Sequence, residues 1–140
     1  MRARARARRV DIHFTRDLAA NAPKDWADEI DQTLIPGGYF KEYAFFHRSS
    51  RTLILADTII NLELDKIAQP WRFATWLAGM YHPFGQVFFG MRLPLLLQRR
   101  RAKAAIKIIQ AWRPERIVLS HGRCFDENAE EVIRRMFGEP

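Results

Sequence analysis

The sequence predicts an α/β layered domain, and three features point to it. A β-rich hairpin pattern runs over Lys41–Asp57, an amphipathic helix pattern over Arg99–Trp112, and a short apolar run over Arg116–Ser120 separates that helix from a last one. Strands followed by helices, a strand and a helix pack as layers around one core. With 140 residues the chain is one domain long, and its 48% hydrophobic content is that of a globular protein. The expected division is a basic disordered tail over residues 1–9 and a single domain over 10–140.

Met1–Arg9 alternates arginine with alanine, so like charges repel and little can be buried. Val10, Ile12 and Phe14 alternate as in a short strand. Asn21, Pro23 and Asp25 carry helix-start chemistry ahead of a brief segment with Trp26 and Ile30, and Pro36-Gly37-Gly38 is a turn. Tyr43–Phe46 and Thr52–Ala56 then read as antiparallel strands around the polar turn His47–Arg51. Thr52–Ala56 is apolar on both sides of its pleat, as in a strand covered on both faces.

Helical spacing extends from Ile67 to Met80 and ends before Pro83 and Gly85. A second helical stretch covers about Gln86–Met91, with Pro94 starting or kinking the next. In Arg99–Trp112 the apolar side is Ala102, Ala105, Ile106, Ile109 and Trp112, and Arg99, Arg100, Lys103 and Lys107 form an ordinary solvated face. Arg116–Ser120 is expected to be a buried strand and Gly122 permits a sharp exit. Asp126 is placed to cap a final helix whose apolar face is Ala129, Val132, Ile133, Met136 and Phe137.

The net charge of +7 is concentrated at one end. Five of the 23 basic residues lie in the first nine positions, leaving 18 against 16 acidic residues in the rest. Nucleic-acid or membrane contact by the Arg-rich tail is therefore not expected from overall basicity. Cys124 is the single cysteine, which excludes an intrachain disulfide and fits a reducing, cytoplasmic location. Trp76–Leu97 is apolar, but His82, Pro83, Gln86, Arg92 and Pro94 make it a poor membrane span; buried or surface-packed helices are expected.

The candidate site follows from strand ends. In α/β sheets, side chains just past the carboxyl ends of strands meet where ligands bind. Asp57 and His121 each follow an apolar run directly, and carboxylate oxygen with imidazole nitrogen is a donor pair that zinc, iron and manganese accept. The alternative is structural: Asp57 caps the next turn and His121 bonds the backbone beside Gly122. Accessory candidates are His82 in a helix break, His47 in the hairpin turn, where a turn-stabilising bond is the simpler role, and Cys124 three residues after His121. The chain has no Gly-rich phosphate loop, nucleophile elbow or dinucleotide fingerprint.

FFHRSSRTLILAD together with RIVLSHG resembles the C-terminal half of a metallo-β-lactamase-superfamily domain, in an uncharacterised branch of domains of unknown function. The resemblance implies a partial αββα sandwich made of the β-hairpin, helices, late strand and final helix. It also implies Asp57 and His121 as metal ligands, with zinc or iron as the cofactor of a completed site. The superfamily's His-x-His-x-Asp-His cluster is missing, since His13, His47, His82 and His121 are all isolated. A catalytic zinc site takes three protein ligands and an open position. The expectation is therefore a hydrolase-like fold with an incomplete metal site, inactive alone. The alternatives are a hydrolase fragment completed by another segment or chain, and a basic interaction module. An uncovered sheet face is the expected route to self-association.

Overall fold

The computed structural model describes residues 18–19, 22–38 and 42–138. The Arg-Ala segment, the expected strand at Val10–Phe14 and His13 lie outside them. A four-stranded mixed sheet forms the centre, in the order β1 (Ile30–Ile35), β2 (Glu42–His47), β3 (Thr52–Leu55) and β6 (Arg116–Leu119). β1, β2 and β3 are antiparallel neighbours, whereas β3 and β6 run parallel. A two-stranded ribbon pairs β4 (Ile59–Ile60) with β5 (Gln86–Val87). Four α-helices occur among the described residues: α1 (Trp71–Leu77), α2 (Phe89–Leu97), α3 (Arg99–Ala111) and α4 (Ala129–Phe137).

The hairpin forms where its pattern places it. Glu42, Ala44 and Phe46 point into the core, together with Leu53 and Leu55 from β3 and Ile117 and Leu119 from β6. Helix α3 lays Ala102, Ala105 and Ile109 over this face, and α4 adds Ala129, Val132 and Ile133. Each fully buried aliphatic side chain here contributes roughly 1.5–3 kcal/mol by leaving water. Trp112, just past α3, stacks on Phe46 with ring centroids 5.5 Å apart.

Several elements differ from expectation. The segment carrying Trp26 and Ile30 makes tight turns, and Ile30 opens β1, which pairs with β2 over six residues. A ready antiparallel partner and the β-branched Thr33 and Ile35 outweigh the local helix-start signals. Strands β3 and β6 are not covered on both faces: Ile54 is 37% and Val118 43% exposed, while on the same face of β1 and β2 Gln32 donates to the Ala19 carbonyl at 2.6 Å and Tyr43 to the Leu18 carbonyl at 2.9 Å. Residues 86–87 pair with β4 instead of starting a helix, and α2 carries Pro94 inside it. Helix α1 is shorter than its periodic pattern and buries only Thr75. At α4 the cap position is Asn128, with φ +59° and no side-chain capping bond, so Asp126 does not cap the helix. No helix among the described residues is long and apolar enough to cross a membrane.

Pairing between β3 and β6 continues past both strands, and this continuation builds the site. The Ser120 amide donates to the Leu55 carbonyl at 3.3 Å, Asn61 to His121 at 3.1 Å, and Arg123 to Asn61 at 2.8 Å. Gly122, at φ +92°, lies so close to Asn61 that a Cβ would sit 2.0 Å from its carbonyl oxygen. Gly122→Ala is therefore expected to cost about 3 kcal/mol or more, read as a lower midpoint in urea unfolding. A variant as stable as the parent would show that this approach is not needed.

Candidate functional site

Asp57 follows the last residues of β3 and His121 those of β6, and parallel pairing brings the two ends side by side. His121 Nε2 lies 3.0 Å from Asp57 Oδ1. The carboxylate can only accept, so the imidazole N–H donates; in a neutral ring this leaves the lone pair on Nδ1. Both side chains remain about half exposed. They border a cleft of about 270 Å³ whose other walls are Ile60, Leu62 and Phe88. An apolar cleft with one polar pair at its rim is the form of a small ligand site. His121 thus bonds a carboxylate rather than its neighbouring backbone.

The turn that carries Asp57 is held from below by Glu42, a residue without an obvious role in the sequence. Glu42 is 3% exposed. Its carboxylate accepts the amides of Ala56 at 2.5 Å and Asp57 at 3.0 Å, and the Thr58 hydroxyl at 2.5 Å. Burial pushes its pKa above the usual glutamate value of 4.5, and the bonds from Thr58, Ala56 and Asp57 offset part of that rise. Glu42 therefore performs the turn-holding that the structural alternative assigned to Asp57. The signal was present, since Glu42 shares the inward parity of Ala44 and Phe46. A buried carboxylate at that parity needs donors facing it.

The other candidates do not join the pair. His47 Nδ1 meets the Ser50 hydroxyl at 2.7 Å, so it stabilises the hairpin turn. His82 lies beside the side chain of buried Asn61, with Nδ1 at 3.3 Å, and lines a separate cavity of about 460 Å³ with Cys124. Cys124 Sγ accepts the Leu119 amide at 3.4 Å rather than facing His121. Among the described residues, no three His, Cys, Asp or Glu side chains are grouped to hold a metal ion. The chain matches no family model, no curated protein and no solved structure.

Removing the carboxylate with Glu42→Ala leaves two half-buried amides and a buried hydroxyl without their partner. A loss of about 3 kcal/mol is expected in chemical denaturation. The pH dependence has a definite sign. The folded chain holds the Glu42 proton more tightly than the unfolded chain, so the stability that this group contributes is greatest below pH 4.5. It declines as pH rises from there through the raised folded pKa. Glu42→Gln should lack this component; an identical stability–pH slope in parent and variant would contradict the assignment.

Proposed function

We propose that this chain is the C-terminal part of a metallo-β-lactamase-like sandwich. In this reading it presents half of a metal site, Asp57 and His121, and is inactive until another segment or chain supplies the remaining ligands. The observation that carries the reading is the 3.0 Å contact between these two side chains at adjacent parallel strand ends. On a tetrahedral ion with bonds of about 2.0–2.1 Å, neighbouring ligand atoms are roughly 3.3 Å apart, so the pair needs little movement to share a metal. Two donors fall short of the three that a catalytic zinc site uses. In a completed site a zinc or iron ion would supply Lewis acidity toward water; no hydrolytic step is assigned to this chain alone.

The expected result of a zinc titration, followed by competition with a chromogenic chelator, is weak one-to-one binding that Asp57→Ala and His121→Ala each abolish. Turnover of chromogenic β-lactam, ester and phosphodiester substrates should be absent. Tight binding that survives both substitutions, or no binding by the parent, would overturn the proposal.

The open sheet face supports the same reading. Phe45, Ile54 and Val118 stand in register across β2, β3 and β6, and Ile54 and Val118 are exposed. A missing sandwich half would cover this row, and a second copy is its substitute. Light scattering should show concentration-dependent association that Ile54→Ser weakens; a strict monomer at all concentrations would rule this out.

A further inference from the structure

Residues 67–114 contain no aspartate or glutamate, yet they hold Arg72, Arg92, Arg99, Arg100, Arg101, Lys103, Lys107 and Arg113. Among the described residues, the same stretch carries most of the large exposed apolar side chains. On α2, Leu93, Leu96 and Leu97 face solvent, Leu97 at 76% exposure; on α1, Trp71, Phe73 and Leu77 do so, Trp71 at 70%. Gln86 links the two helices: its side chain lies against Gly79, just after α1, and its Oε1 accepts from Arg92 of α2 at 3.1 Å.

The arginines stand at the wrong helix end for stability. Arg99, Arg100 and Arg101 open α3, where the helix dipole disfavours cations, with no acidic residue in the first turn and no side-chain cap. Among the described residues, no ion pair engages them, Arg92 or Lys103. Folding thus gains nothing from three exposed charges beside three exposed leucines. Between α2 and α3 runs a groove of about 360 Å³, with Leu95, Leu96 and Ile106 in its walls and Arg92, Arg99 and Lys103 along it.

We propose that the α1–α3 surface docks on an anionic phospholipid bilayer. Its exposed tryptophan, phenylalanine and leucine side chains enter the interface, and Arg92, Arg99–Arg101 and Lys103 bind lipid phosphates. Charge complementarity selects this occupant. A second copy would bring the same unneutralised cations face to face, and a nucleic acid has no use for a leucine cluster. The apolar area and the cations are both satisfied at a headgroup–acyl boundary.

Sedimentation with vesicles tests the proposal on the full chain. Vesicles of phosphatidylcholine with phosphatidylglycerol should bind it, vesicles of phosphatidylcholine alone much less, and added salt should weaken binding. Each basic residue near the surface contributes roughly fivefold, so R99S/R100S/R101S should reduce partitioning on the order of 100-fold. These three positions are exposed and make no ion pair among the described residues, so the fold is retained and circular dichroism should be unchanged. L93S/L97S should weaken binding, and tryptophan emission should shift to the blue on vesicle addition in the parent. Equal binding to both vesicle types or to neither would overturn the proposal. So would full binding by the triple-arginine variant, which keeps the N-terminal arginines, or preferred binding to duplex DNA that L93S/L97S leaves intact.

Discussion

The carboxylate of Glu42 is the point on which the site geometry depends. A strand that ends beneath a solvent-facing side chain must turn, and the turn leaves backbone donors without sheet partners. Glu42, reaching up from the adjacent strand, takes the amides of Ala56 and Asp57 and the Thr58 hydroxyl at once. Three bonds to one buried acceptor leave that segment little freedom. The Thr58 carbonyl in turn accepts the Phe88 amide at 3.0 Å, which ties the ribbon and the start of α2 to the same turn. Asp57 is therefore presented by a buried carboxyl group that does not line the cleft.

How far the sequence could be read depends on the range of each interaction. The hairpin, α3 and the late strand are patterns written within a dozen residues, and all are present. The meeting of Asp57 with His121, 64 residues apart, was legible because both follow strands whose carboxyl ends a parallel pair aligns. β1 was not legible, since Ile30–Ile35 becomes a strand only through its register with β2. Nor was the open face: a run such as Thr52–Ala56, apolar at every position, looks the same whether or not a second layer covers it. Glu42 lay between these cases, with its parity visible and its partners not.

The uneven distribution of charge has the same physical origin as the uneven burial. Acidic residues surround the hairpin, the strand ends and α4, where they find partners such as Arg48 with Asp31 and Arg113 with Glu130. The stretch from α1 to α3 has cations without acids and leucines without cover. A domain held together by a core of Leu53, Leu55, Ile109, Ile117 and Ile133 does not need that surface for its own stability.

The two regions meet at Phe88 and Phe89. Phe88 forms a wall of the Asp57–His121 cleft, while Phe89, the first residue of α2, is exposed beside the leucines. Their rings are 4.6 Å apart. No residue separates them, and the Phe88 amide is bonded to the Thr58 carbonyl within the turn that Glu42 holds. A molecule bound along α2 would therefore lie one residue from the cleft wall, and any shift of Phe89 toward an apolar phase would be felt by Phe88. The polar pair faces water at one end of this aromatic step and the leucines face outward at the other. The exposed leucines and the polar Asp57–His121 rim thus belong to one corner of the fold.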